Sequence, residues 1–126
     1  MQMRIEPMDP IVLPIIIASG KRKREIDSLL DTGATYLVIT TEDAIDLGYD
    51  LAVAPRFPVV TANGIVEAPL ILLESVQLGP YTVRNVSTLC LNMAGDRVSS
   101  LLGLSVLSQL KICIDAKNGL LTVEDC

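Results

Sequence analysis

Leu29-Leu30-Asp31-Thr32-Gly33-Ala34-Thr35, with the apolar run Tyr36 to Ile39 behind it, is the stretch on which the reading of this chain turns. An acid, a hydroxyl and a glycine in succession form a turn, and apolar residues crowd both flanks. A carboxylate held between apolar strands is short of water, the setting in which acids are recruited for chemistry. Asp31 is therefore either catalytic or a simple turn former, and the rest of the sequence has to decide.

Upstream of the turn, Ile11 to Ala18 (IVLPIIIA) reads as a strand, with Pro14 placing it at an edge or a bulge. Residues 1–10 are polar and proline-bearing and read as an N-terminal arm or short edge strand, leaving residues 11–126 as one domain. Ser19-Gly20 and the basic run Lys21-Arg22-Lys23-Arg24 read as a solvated hairpin turn. Glu25 to Leu30 returns as the next strand, with Ile26, Ser28 and Leu30 on one face.

Downstream, Tyr36 to Thr40 is a third strand, and Thr41 caps a short helix that Gly48 stops. Glu42 and Asp43 suit its first turn, while Ala44, Ile45 and Leu47 face inward. Val59 to Ala62 and Ile65-Val66 flank Asn63-Gly64, the strongest hairpin signal in the chain. Leu70 to Leu78, Tyr81 to Val83 and Val86 to Leu91 follow as strands, with turns at Gly79-Pro80 and Arg84-Asn85. Asn92 to Arg97 is a polar loop in which Asp96 and Arg97 are solvated. After Leu101-Leu102-Gly103, the spacing of Leu104, Leu107 and Leu110 predicts a two-turn helix. Lys111 to Asp115 and Leu120 to Val123 close the chain as a hairpin, with Asp115 as a turn former. Many short strands and two small helices predict a mostly β domain, closed or heavily packed as a small barrel.

Composition narrows the chemistry. Of 126 residues half are hydrophobic but only 3% aromatic, so Leu, Ile and Val must build the core. A net charge of −5 argues against a nucleic-acid partner. With no histidine and no Cys-x-x-Cys, the chain offers no Ser-His-Asp or Cys-His arrangement and no usual zinc site. No Gly-rich phosphate loop is present, so no cofactor is expected. Cys90, Cys113 and Cys126 are odd in number and far apart, which fits reduced thiols in a cytoplasmic protein. Cys113, on an apolar strand without a base partner, reads as core rather than nucleophile. No segment reaches transmembrane length, and nothing resembles a signal peptide; the chain reads as soluble, whether whole or a piece of a longer one.

Carboxylates are left to carry any acid–base chemistry. Hydrolysing a peptide without metal or covalent nucleophile needs a base to activate water and an acid to protonate the leaving amine. Two facing carboxylates sharing one proton do both. The sequence holds the acid–hydroxyl–glycine turn once, so a complete pair demands a second copy of the chain, with Asp31 meeting Asp31 across a twofold axis.

Here the sequence resembles a known family. Leu29-Leu30-Asp31-Thr32-Gly33-Ala34 resembles the active-site turn of the retropepsin-like aspartic proteases, the single-domain relatives of pepsin. Some seventy residues on, Leu101-Leu102-Gly103 and its helix resemble the family's second signature, which packs across that turn. Asn63-Gly64 falls where the family carries its flap, and the likeness spans roughly residues 11–124. It implies a closed, barrel-like acid-protease fold with two short helices, one half of a bilobal pepsin-like enzyme. It further implies an aspartic endopeptidase acting on peptide or protein substrates as a homodimer, with Asp31 of each copy catalytic.

Thr32 would be a cross-dimer hydroxyl contact, and Gly33 and Ala34 would line the cleft. Asn63, Gly64 and Ile65 would form the flap, Leu101, Leu102 and Gly103 would support the turn, and Val60 and Leu102 would either wall the cleft or simply fill the core. Two departures stand out. Retroviral members follow the second-signature glycine with Arg-Asn, whose arginine braces the dimer, whereas Gly103 is followed by Leu104-Ser105, as in bacterial and cellular members. The flap tip is also poorer in glycine. The alternatives are a catalytically silent peptide-binding or dimerisation module on the same fold, and a small barrel with an incidental Asp-Thr-Gly. Joint retention of acid, hydroxyl and glycine argues against silence, because a relic has no physical need for the acid.

Overall fold

Ten strands and two short helices appear in the computed structural model, which describes residues 1–93 and 98–125. The strands are β1 (Gln2–Arg4), β2 (Val12–Ser19), β3 (Arg22–Leu30), β4 (Leu37–Ile39), β5 (Arg56–Thr61), β6 (Gly64–Leu78), β7 (Tyr81–Cys90), β8 (Leu101–Leu102), β9 (Leu110–Asp115) and β10 (Leu120–Asp125). The helices are α1 (Thr41–Asp46) and α2 (Leu104–Leu107). The larger sheet runs β2-β3-β8-β4-β7-β6-β5, and β6 also pairs with β2, so the ring closes into a barrel. β5 pairs only with β6 and extends from the ring as a hairpin. β1, β10 and β9 form a separate three-stranded sheet.

Alternate residues of the apolar strands fill the barrel. Leu13, Ile15 and Ile17 point inward from β2, and Leu73, Val76, Leu78, Val83 and Val86 point inward from β6 and β7. Pro14 lies outside the Ile16–Ala18 stretch that pairs with β6, so it sits where β2 has a neighbour on one side only. The basic run belongs to β3 more than to the turn. Only Gly20 and Lys21 turn the chain, and Arg24 reaches α1, with Nε 3.2 Å from Asp43 and Nη1 2.8 Å from Asp46.

Several local expectations are corrected. Thr40, not Thr41, caps α1: its hydroxyl accepts from the Asp43 N–H, while Thr41 bonds Asn92. Ile45 is exposed, and the inward face carries Asp43, Ala44 and Leu47, because Arg24 gives the acid a partner there. The flap hairpin turns one residue early, on Ala62-Asn63, with Gly64 following at φ 116. The Thr61 hydroxyl settles this turn, accepting from the Asn63 N–H and donating to the Gly64 carbonyl. Residues 81–90 are one strand, and Asn85 interrupts it only locally with φ 55.

Helix α2 makes a single turn before the chain swings into β9, which leaves Leu104 exposed while Val106 and Leu107 are buried. Cys113 is exposed rather than in the core: it pairs with Thr122 on the outer face, and the neighbouring Ile112–Val123 pair faces inward. An apolar run cannot reveal which of its two parities is buried. Asp115 does form the final turn, and hydrogen bonds from the Asn118 side chain and backbone hold its carboxyl below the usual range. The expectations for Asp96, Arg97 and Cys126 lie outside the described residues.

Strand β8 lies between β3 and β4. It runs parallel to β3, with Leu29 opposite Leu101 and Leu30 opposite Leu102, and antiparallel to β4, with Val38 opposite Leu101. The next residue, Gly103, is pressed against backbone. A Cβ there would collide with the Tyr36 carbonyl oxygen and come within 2.7 Å of that of Ala34. Backbone at such a distance yields less readily than a side chain, so Gly103→Ala is expected to destabilise the fold by about 2–4 kcal/mol, read as a lower urea midpoint at unchanged slope.

The two described thiols differ as sharply. Burial pushes the Cys90 thiol up to about 11, whereas Cys113 is open to solvent. A thiol-alkylating reagent near pH 8 should label Cys113 in the folded chain and Cys90 only after denaturation, as peptide mass mapping would show.

Candidate active site

Asp31 stands at the end of β3 and is held by its own turn. Its backbone N–H donates to the Leu102 carbonyl at 3.1 Å, which ties the turn to β8. The Ala34 N–H donates to the Asp31 carbonyl at 3.2 Å, and the Gly33 N–H donates to the side-chain Oδ1 at 2.9 Å. A Cβ on Gly33 would lie 3.2 Å from Oδ1, so glycine leaves the carboxylate room to rest on the backbone. The aim of the carboxylate is thus set by one backbone donor, the Gly33 N–H, and among the described residues no cation pairs with it.

Helix α2 clamps the far side of the turn. The N–H groups of Leu104 and Ser105 donate to the carbonyls of Ala34 and Thr35, both at 2.9 Å. The Ser105 hydroxyl accepts from the Leu37 N–H at 2.8 Å. Below, Ser28 and Ser100 share a buried hydroxyl–hydroxyl bond of 2.8 Å, and the Leu29 N–H donates to the Ser100 carbonyl. Every residue from Ser28 to Leu37 except Thr32 and Gly33 is therefore at least partly buried or bonded to a neighbouring element. Those two, at the tip, are exposed.

The turn opens onto a cleft of about 420 Å³. Its floor and walls come from Ala34, Tyr36 and Val38 beyond the turn, from Leu89, Leu91 and Met93 around the end of β7, from Leu101, and from residues 57–61 of β5. Asp31 is the sole charged residue among those described that line it. Tyr36 and Phe57 meet edge to face across the cleft, with ring centroids 5.3 Å apart. Among the described residues no three carboxylate or thiol side chains converge so as to hold a metal ion.

The sequence-derived site residues fall into three groups. Asp31, Gly33 and Ala34 line the cleft, and Thr32 stands exposed beside it. Asn63, Gly64 and Ile65 form the tip of the β5–β6 hairpin, all exposed, beyond the residues that wall the cleft. Of the two proposed wall residues, Val60 lines the cleft but Leu102 is fully buried in the core, and its neighbour Leu101 takes the wall position. The aromatic pair, Leu89 and Met93 were not foreseen. One signal for the pair was available: in a chain with one Phe and three Tyr, Tyr36 directly follows the acid turn and Phe57 lies between Pro55 and Pro58.

Comparison with known proteins agrees with this geometry. The family model described as "gag-polyprotein putative aspartyl protease" matches residues 20–109, from the β2–β3 turn through α2. A Sinorhizobium protein described as "Uncharacterized protein in cobV 5'region" is 38% identical over 90 residues, 71% of this chain. Those residues make up 38% of the relative's own length, so the chain spans well under half of it. The crystal structure of a retropepsin-like aspartic protease from Rickettsia conorii matches 99% of this chain and 89% of its own, with a TM-score of 0.74 and 28% identity. The EIAV protease, complexed with the inhibitor HBY-793, shares the fold at a TM-score of 0.57 and 17% identity, over 80% of this chain and 88% of its own. The chain therefore belongs to the retropepsin-like family of aspartyl proteases, and lies nearer its bacterial than its retroviral members.

Proposed function

We propose that the chain is an aspartic endopeptidase whose active site forms between two copies, with Asp31 of each as the catalytic pair. The observation that carries this reading is a single carboxylate, aimed by the Gly33 N–H, at the head of an otherwise uncharged cleft. One carboxylate cannot at the same moment take a proton from the attacking water and give one to the peptide carbonyl oxygen. With two, the ionised Asp31 removes the proton as the water oxygen attacks the peptide carbonyl carbon. The protonated Asp31 of the other copy donates to the carbonyl oxygen. Collapse of the tetrahedral intermediate then breaks the C–N bond: the nitrogen leaves with the proton held by the first carboxylate, and a hydroxyl of the intermediate returns its proton to the second, which restores the pair.

The surroundings serve that chemistry in this reading. An extended peptide would lie along the cleft, using the edge of β5 that no strand of the chain pairs. Asn63, Gly64 and Ile65 would close over it, and the Thr32 hydroxyl, exposed at the turn tip, would contact the partner copy. Val38, Val60, Leu89 and Leu101 favour apolar side chains beside the cut bond, since a charged one would lose its water without gaining a partner.

The test is Asp31→Asn, which keeps the shape of the turn and removes the titratable oxygen. Cleavage of a broad peptide library at acid pH should fall by about 10³-fold while the melting temperature holds. A statine-type inhibitor should likewise stop the wild-type chain. Undiminished cleavage by the variant would rule out the mechanism, and a folded wild-type dimer that cleaves nothing would favour a silent binding module.

A further inference from the structure

We propose that the contact of the Phe57 ring with Tyr36 is the anchor that docks the β5–β6 arm on the barrel, which makes Phe57 a positioning residue for peptide beside Asp31. The docking is a property of the free chain, and its effect on peptide rests on the endopeptidase reading above. Over residues 56–61 and 64–69 the two strands pair with each other alone, and β6 meets β7 only from Leu70 onward. A two-stranded hairpin by itself is marginally stable in water, so side-chain contacts with the barrel have to hold this arm in place.

Few such contacts are available. No residue of β5 is buried. Residues 57, 59 and 61 alternate onto one face of the strand. On that face Val59 packs against a small cluster of Val38, Ala68 and Leu89, separate from the barrel core, and Tyr36 packs against the same cluster. Phe57 stands opposite Ala68 at the root of the arm, and its ring meets that of Tyr36 with 5.3 Å between centroids and 82° between planes. Tyr36 itself is firmly seated. The N–H of the next residue, Leu37, donates to the Ser105 hydroxyl, and the Tyr36 carbonyl lies against Gly103. The ring contact thus ties a weakly packed arm to the rigid segment that follows the Asp31 turn. Both rings line the cleft, so the anchored arm holds the unpaired edge of β5 at a fixed place relative to the carboxylate.

The test measures amide exchange of the free full chain, with peptide cleavage on the same samples, for wild type, Phe57→Leu, Tyr36→Leu, the double variant and Tyr36→Phe. Leucine stays apolar and removes the ring pair, so each single leucine variant should speed exchange of the arm amides about two- to tenfold while β2 and β3 keep their wild-type rates. The double variant should be no faster than the faster single one, because a single contact is lost. Tyr36→Phe keeps both rings and should exchange as wild type does. In cleavage, Phe57→Leu should raise KM by a similar factor and change kcat far less, because fewer chains hold the arm where peptide can add to it. Wild-type exchange in Phe57→Leu, with or without a raised KM, would overturn the anchor, as would single effects that multiply in the double variant. Either result leaves the endopeptidase standing. A wild-type chain that cleaves nothing would overturn the endopeptidase reading, and the exchange rates would still decide the docking.

Discussion

The close laying of Leu101-Leu102-Gly103 between β3 and β4 is the constraint on which the rest of the structure depends. That segment accepts the Asp31 N–H through Leu102, supplies the Leu101 wall of the cleft, and starts the helix whose first amides grip Ala34 and Thr35. Its approach is so close that only glycine fits where it leaves the sheet. Two stretches some seventy residues apart are thereby locked into one unit, and the buried Ser28–Ser100 bond fixes their alignment from beneath. Leaving one of those hydroxyls without its partner would cost about 1–3 kcal/mol, enough to hold the register against slippage.

This rigidity is concentrated where the chemistry needs it. The carboxylate is oriented by a backbone amide, that of Gly33, which does not change charge with pH and does not bring a cation that would quench a base. Around it the walls are aliphatic, with one aromatic pair, and the nearby surface is neutral. The hairpin above is built in the opposite way. β5 has one strand neighbour, and Val60 and Ile65 are 82% and 71% exposed. A firmly held acid beneath an element with little packing of its own is the division of labour expected of a cleft that admits an extended chain and covers it.

Much of this was legible in the residues. Asp31-Thr32-Gly33 between apolar strands and Leu101-Leu102-Gly103 before a helix pointed to the family, and the alternation in β3 set Ile26, Ser28 and Leu30 on its inner face. The misreadings share a physical origin. Short apolar runs state that one face is buried without stating which, so Cys113 was placed on the wrong side and Leu102 stayed open between cleft wall and the core where it lies. Local capping chemistry has two solutions where hydroxyls are adjacent, and Thr40 prevailed over Thr41 because Asn92 bonds the latter. Asp43 faces inward because Arg24, nineteen positions earlier, arrives beside it from β3, a contact that no local pattern encodes. The aromatic pair is likewise a product of the barrel's closure, since Tyr36, just before β4, and Phe57, on β5, belong to elements that do not pair.

One carboxylate at the cleft of each chain is the central feature, and it makes the number of Asp31 residues in each working site directly countable. Wild-type chain is mixed in varying ratio with Asp31→Asn chain at fixed total concentration, under conditions where subunits exchange, and peptide cleavage is followed. A site that needs Asp31 from both copies predicts activity falling as the square of the wild-type fraction, to about one quarter at an equal mixture. Activity falling in simple proportion, to about one half, would contradict it.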